Sequence, residues 1–451
     1  MTYRLLSLGC QMNTSDAERI ASVLEGAGFA EAPSEAQADL LGVVACSVRQ
    51  KAIDRVYGRI HEWNRWKAQR PLLTFVSGCI LPEDEAKFLR LFDLVFRIDD
   101  LPQLPEMIRT SGVVTPAAID AAVQPGRSVT LGHTDQFWGI TPRYGSEHAA
   151  FVPIQNGCDK FCTFCAVPYT RGREVSRPAT DVLREVEGLL ARGYRNITLL
   201  GQNVNSYGRD RPGAEPTFAA LLDEVGARCD AAAHKVWVYF TSPHPADMSP
   251  VVLEAIAAHD SLAKQIHLPM QSADDKVLIR MNRNHRLDQY RAVVENIRAI
   301  LPAATLFTDI IVGFCGETEE QFERTRLAME EFAFDMAYIA MYSPRPGAAA
   351  ARWPDDVPLA EKKRRLQVLS GVLQETALRH NRCWEGRTVE VLVEAEDRKP
   401  GLLVGRTEGR VPVRFAGGAG LVGSHAAVDV THARPLSLEG ELAVPAALAA
   451  S

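Results

Sequence analysis

Residues 151–165 read FVPIQNGCDKFCTFC, and the junction inside that stretch decides the fold. Residues 151–154 are a short apolar run, as a strand buried in a parallel sheet requires. It leads directly into a C-x3-C-x2-C loop made by Cys158, Cys162 and Cys165. Downstream the pattern repeats: strand-like runs at 197–200, 236–240, 265–268, 306–312 and 336–341 alternate with helix-like stretches. In one of these, 180–192, Val182, Leu183, Val186, Leu189 and Leu190 share a face and Gly193 ends the pattern. Six such strand–helix steps predict a partial, open (β/α)6 relative of the eight-fold α/β barrel.

Barrels of this kind carry their chemistry at the C-terminal ends of the strands. Each run here is followed there by a polar cluster: the cysteine loop, Gly201-Gln202-Asn203-Val204-Asn205, Thr241-Ser242-Pro243-His244, Pro269-Met270-Gln271-Ser272, Gly313-Phe314-Cys315-Gly316-Glu317 and Tyr342-Ser343-Pro344-Arg345-Pro346. Any one of them reads equally well as a turn, because Gly, Pro, Asn and Ser favour turns everywhere. All six together, with amide and charged side chains, are expected to form one rim.

Upstream, short apolar runs at 3–8, 40–45, 72–77 and 94–98 alternate with helical patterns, predicting a small doubly wound parallel-sheet domain over 1–115. Thr14 or Ser15 is the expected cap of its first helix, which has Ile20, Val23 and Leu24 on its apolar face and Gly26 and Gly28 at its end. Residues 116–147 collect Pro116, Pro125, Gly126, Gly132, Gly139 and Pro142 and read as a linker to the barrel domain, 148–378. Beyond the basic stretch 362–365, Val389, Val391 and Val393 alternate with polar residues, as do 411–415 and 427–430. A small all-β barrel over 379–445 is expected, with residues 449–451 frayed.

Of the 451 residues 46% are hydrophobic and 24% charged, ordinary for a soluble protein, and no apolar run approaches membrane-spanning length. A cytoplasmic protein without signal or anchor is expected. The net charge of −6 argues against broad electrostatic binding of nucleic acid, so any RNA contact must be local. Nine cysteines, an odd number, argue for metal ligation or catalysis rather than a disulfide framework.

Thiolates are the ligands of iron–sulfur clusters, which normally take four. Cys158, Cys162 and Cys165 supply three, leaving one iron of a 4Fe-4S cluster open to a substrate or cofactor. The alternative is a structural zinc completed by a distant donor such as His148. Cys10, Cys46 and Cys79, 36 and 33 residues apart, each follow a strand-like run by a residue or so, and in a parallel sheet such ends share an edge. They either converge as a second three-thiolate cluster site or are simply core cysteines. Cys229, Cys315 and Cys383 show no such geometry.

Four stretches are more specific: Gly9-Cys10-Gln11-Met12-Asn13, Cys46-Ser47-Val48-Arg49-Gln50-Lys51-Ala52, Cys162-Thr163-Phe164-Cys165-Ala166-Val167-Pro168-Tyr169-Thr170-Arg171-Gly172-Arg173-Glu174 and Gly201-Gln202-Asn203-Val204-Asn205-Ser206-Tyr207. Together they closely resemble tRNA methylthiotransferases of the MiaB type, members of the radical S-adenosylmethionine (SAM) class. The resemblance continues through His267-Leu268-Pro269 and Asp309-Ile310-Ile311-Val312-Gly313-Phe314 and ends in a region similar to a TRAM domain. It implies 2-methylthiolation of N6-dimethylallyladenosine beside the anticodon, at tRNA position 37. It also implies a radical-generating 4Fe-4S cluster on Cys158, Cys162 and Cys165, and an auxiliary, sulfur-carrying one on Cys10, Cys46 and Cys79.

Two SAM molecules, one a methyl donor and one a radical source, are implied with it, as are an electron-donor protein and a sulfur source. By position on the rim, Gln202, Asn203, Ser242, Gln271 and Glu317 are the expected SAM contacts. Departures from the family pattern are Cys315 in place of proline, Ala273-Asp274 in place of Gly-Ser, and Ile80-Leu81-Pro82 after Cys79. Arg171, Arg173, Arg177, Arg280, Arg283 and Arg286 are candidate phosphate contacts. From Trp384 to Leu442, however, 7 Lys and Arg face 9 Asp and Glu, a balance of −2. Two alternatives stay open: a sister enzyme acting on a ribosomal-protein aspartate, and a non-catalytic RNA-binding adaptor with structural metal.

Overall fold

The computed structural model describes residues 1–47, 50–111 and 134–443. In the first domain β1 (Thr2–Leu8), β2 (Ala30–Glu31), β3 (Leu40–Cys46), β4 (Leu73–Cys79) and β5 (Leu94–Val95) pair in parallel in the order β2-β1-β3-β4-β5. Both faces of this sheet are covered, so β3 and β4 are buried throughout and read as near-continuous apolar runs. Helix α1 (Gln11–Gly26) lays Ile20 and Leu24 against Leu40, Val44 and Phe75, while α2 (Gln50–Lys67) lays Ile53, Val56, Ile60 and Trp63 against Leu41, Val43 and Val76.

Several expectations here are corrected. Helix α1 begins before Thr14 and Ser15: its cap is Cys10, and Asn13 closes the box by accepting from the Cys10 N–H at 3.2 Å. The strand expected over 94–98, β5, stops at Val95, because Asp99 and Asp100 open a 3-10 turn over Ile98–Gln103. The expected linker contains a helix, Thr134–Trp138, whose Phe137 and Trp138 bury against the first domain's core. Positions 116–133 and the expected frayed end lie outside the described residues.

The second domain opens with β6 (Ala149–Pro153) and a short antiparallel ribbon of β7 (Gln155–Asn156) and β8 (Val175–Ser176). It continues with β9 (Asn196–Leu200), β10 (Trp237–Phe240), β11 (Gln265–His267), β12 (Thr305–Val312) and β13 (Met336–Met341). The six expected strands form two parallel triplets, β10-β9-β6 and β11-β12-β13, linked where Val238 of β10 makes an isolated parallel bridge to Leu262, just before β11. Leucine, isoleucine and valine side chains of its outer face pack on the surrounding helices, among them Ala179–Ala191 through Val182, Val186 and Leu189.

The third domain is a closed barrel, β14-β15-β16-β18-β17, of β14 (Thr388–Glu396), β15 (Leu402–Arg406), β16 (Pro412–Ala416), β17 (His425–Arg434) and β18 (Ser437–Leu442). Strands β15 and β18 escaped notice in the sequence because Gly405 and Gly440 interrupt their side-chain patterns. The preceding helix, Leu359–Arg382, runs past the boundary expected at 378. The β15–β16 turn lies beneath the central sheet: the Thr305 hydroxyl donates to the Gly409 carbonyl at 2.9 Å, and the Arg410 guanidinium sits 3.8 Å from the centre of the Tyr239 ring. Among the described residues no helix is long and apolar enough to cross a membrane.

Candidate active site

The first cysteine loop hangs from the C-terminal end of β6 and is folded back by the β7–β8 ribbon. Gly157 is needed there, since its φ is +80° and a Cβ would stand 1.9 Å from the Arg173 carbonyl oxygen. Residues 280–282 clamp the loop: Thr163 donates to the carbonyls of Met281 (3.0 Å) and Arg280 (2.7 Å), and Asn282 donates to that of Phe161 (3.0 Å). Two donors address the sulfurs, the Val167 N–H at 3.5 Å from Cys165 Sγ and Arg283 Nη1 at 3.6 Å from Cys162 Sγ. Burial pushes the Cys158 and Cys165 thiols up to about 12, a cost that a bound cation's charge would reverse.

The second trio converges as the sheet edge requires. Cys46 and Cys79 are the last residues of β3 and β4, register partners rather than one residue beyond, and Cys10 caps α1. Asn13 links them, 3.4 Å from Cys10 Sγ and 3.8 Å from Cys79 Sγ. From the second domain the buried Arg171 donates through Nε to Cys79 Sγ (2.9 Å), and to Asn156 Oδ1 (3.1 Å) and Asp16 Oδ2 (2.5 Å). Cys79 is lowered to about 6, mainly by a hydrogen bond from Cys46, with burial opposing and the Arg171 charge assisting. Hydrogen bonds to thiolates and a fixed nearby cation suit cluster ligands.

One cavity of about 760 Å³ joins the two sets: Cys10 lies on its wall with Cys158, Cys162 and Cys165. Gln202, Asn203, Ser242 and Gln271 also line it, as expected from their rim positions. Gln202 Oε1 and Asn203 Oδ1 are buried there without a hydrogen-bond partner, two acceptors of the kind an ammonium or amide ligand satisfies. Ser242, Gln271 and Arg410 line the cavity with φ of +57°, +68° and +60°, left-handed conformations that cluster where function holds them. A second cavity of similar size, about 770 Å³, lies between the second and third domains and touches neither cysteine trio.

Glu317 is corrected: it does not line the cavity but is buried, accepting from the Gly313 N–H (2.6 Å) and the Arg365 guanidinium (2.8 Å). Nor does Cys315, whose side chain packs with Phe314, Tyr342 and Ala350. Asp274, one of the departures, caps helix Asp275–Arg280 by accepting from the Lys276 and Val277 N–H groups, and pairs with Arg324 at 2.7 Å. Three expected phosphate contacts are structural: Arg171 as above, Arg177 paired with Glu185 (2.5 Å) and Arg283 against Cys162, all buried. Burial of a guanidinium demands such partners. Arg173 and Arg280 remain exposed.

His148 lies at the N-terminal end of β6, hydrogen-bonded near Ser146, a full strand from the cysteine loop, and so cannot complete a zinc site there. Among the described residues no three His, Cys, Asp or Glu side chains close on a single ion. Sequence reasoning missed a pair on the cavity wall, His267 Nε2 2.8 Å from Asp309 Oδ2. Its signal was a carboxylate in the middle of the apolar strand β12.

Family models match three regions: residues 2–97 the uncharacterized protein family UPF0004, 152–328 the radical SAM superfamily and 384–443 the TRAM domain. The tRNA-2-methylthio-N(6)-dimethylallyladenosine synthase of Geobacter metallireducens is 39% identical over 442 residues, 97% of each chain. That of Syntrophomonas wolfei is 40% identical over 447 residues, 98% of each. Among solved structures, the radical S-adenosylmethionine methyltransferase TsrM of Kitasatospora setae covers 78% of this chain and 74% of its own at 14% identity and a TM-score of 0.56, a likeness of fold.

Proposed function

This chain belongs to the family of tRNA-2-methylthio-N(6)-dimethylallyladenosine synthases, and on that premise we propose that it converts N6-dimethylallyladenosine at tRNA position 37 to its 2-methylthio derivative. Its cofactors are two 4Fe-4S clusters and SAM. The observation that carries the reading is that Cys10, from one trio, lines a single cavity together with the three cysteines of the other. We assign 1–115 as the sulfur-handling domain, 148–378 as the radical SAM domain and 379–445 as the TRAM domain, with an electron-donor protein and a sulfur source as further partners.

The adenine C2 hydrogen is unactivated, so no side-chain base removes it near neutral pH. When bound, the clusters and SAM supply the radical, the sulfur and the methyl group. The chain's own residues position and shield. Cys158, Cys162 and Cys165 would hold one cluster and Cys10, Cys46 and Cys79 the other. Gln202 and Asn203 offer their unpaired acceptors to SAM. An unpaired loop base enters such a cavity without melting a helix.

The test pairs two variants in anaerobic turnover with SAM and tRNA. Cys158→Ala abolishes SAM cleavage, whereas Cys10→Ala retains cleavage and stops thiolation. Thiolation by Cys10→Ala refutes the assignment. Mass spectrometry of a deletion strain should find the 2-methylthio nucleoside missing from tRNA. A loss confined to ribosomal protein instead refutes the tRNA substrate.

A further inference from the structure

Between the cavity-lining Lys160 and Cys162 the chain turns Phe161 outward, with φ of +47° and 39% of its surface exposed. Tyr169, from the helix Val167–Arg171, is 45% exposed and meets the Phe161 ring edge-on at 6.2 Å. The Arg173 guanidinium stands 5.8 Å over the same ring, steered by Asp159, which accepts from its Nε (2.5 Å) and Nη2 (3.0 Å). Arg280 clamps the cysteine loop through its carbonyl, while its guanidinium turns away to the Trp353 ring at 5.8 Å, so Arg173 is the cation of this patch. Two touching exposed rings with a guanidinium over one of them, that one held at a left-handed φ, form a contiguous patch of the kind that marks an interaction site.

Resting on the tRNA reading above, we infer that Phe161, Tyr169 and Arg173 form a stacking platform for an unpaired anticodon-loop nucleotide flanking the adenosine in the cavity. The geometry favours RNA over other occupants. Lys160 and Cys162, the neighbours of Phe161 in the chain, line the cavity, so the nucleotide next to a base held there comes within reach of this ring. Aromatic faces bind unstacked bases regardless of sequence, and a guanidinium plane beside them serves both base and phosphate. The net charge of −6 gives the protein no bulk attraction for RNA, so affinity must come from local contacts of this kind.

The test uses the anaerobic holoenzyme and a synthetic anticodon stem-loop containing N6-dimethylallyladenosine, with 2-aminopurine at the adjacent position. Phe161→Ala weakens binding about 5- to 140-fold, the loss of one stacked base, and relieves the 2-aminopurine quenching. Phe161→Leu, which keeps apolar bulk, behaves likewise, while Phe161→Trp restores binding and quenching. Arg173→Gln reduces the slope of log affinity against log salt by about 0.7, which Phe161→Ala leaves unchanged. Wild-type affinity and quenching in Phe161→Ala and Phe161→Leu, each with full iron, overturn the platform alone. Failure of the wild type to bind the stem-loop overturns the tRNA reading with it.

Discussion

Replacing Arg171 by Met tests how the two cysteine trios are held together. Its guanidinium and the Asp16 carboxylate are 2.5 Å apart with side chains 3% and 2% exposed, and they bridge the first two domains. The substitution keeps the apolar stem but strands a carboxylate in the interior. Breaking one side of a buried pair costs about 3–5 kcal/mol, whereas replacing both sides with apolar groups is often nearly neutral. Arg171→Met should therefore lower the urea midpoint of the metal-free protein by about 1–1.7 M, taking a slope of about 3 kcal/mol per molar for a chain this large. Adding Asp16→Leu should recover most of that loss, a coupling of roughly 2–4 kcal/mol in the double-mutant cycle. Tryptophan fluorescence reads the transition. A single-variant cost below about 1 kcal/mol, or a double variant that costs the sum of the two singles, refutes the buried bridge.

Burial, with the nearby Arg283 charge, lowers His285 to about 3. The folded state thus binds the proton less well than the unfolded one, and the contribution is present above pH 6.5 and lost as pH falls toward 3. Against His285→Gln the wild type should lose about 3 kcal/mol of relative stability between pH 6.5 and pH 4, and parallel pH curves would refute this. Arg410→Met removes a buried cation–π contact and a hydrogen bond to Thr198 at 3.1 Å. Proteolysis in the segment joining helix Leu359–Arg382 to the barrel should become about 10- to 30-fold faster, the equivalent of roughly 2 kcal/mol, and an unchanged rate would show that the turn contributes nothing to docking.

Burial on both faces writes most of the strands as short apolar runs, and β13, partly exposed with Tyr338 in water, is legible from apolar composition alone: 336–341 matches to the residue, and the other five central strands to within a residue or two at either end. The convergence of Cys10, Cys46 and Cys79 was legible for the same reason, since parallel strands of one sheet present their C-terminal ends together. Arginine roles were not legible. Arg171, Arg177 and Arg283 look in sequence like Arg173 and Arg280, and only the fold brings Asp16, Glu185 and Cys162 to the first three. Glu317 failed as a cavity residue because its partner, Arg365, lies 48 residues away on helix Leu359–Arg382. His267 and Asp309 were missed as a pair because adjacency across β11 and β12 depends on register, which no local pattern specifies.

The most direct test is to count iron and acid-labile sulfide in protein purified without oxygen. Two trios of thiolates, each holding a 4Fe-4S cluster, require about eight of each per chain, falling to about four when Cys10, Cys46 and Cys79 are all changed to alanine. A colourless protein, one that holds only zinc, or a triple variant that keeps all its iron would contradict the account.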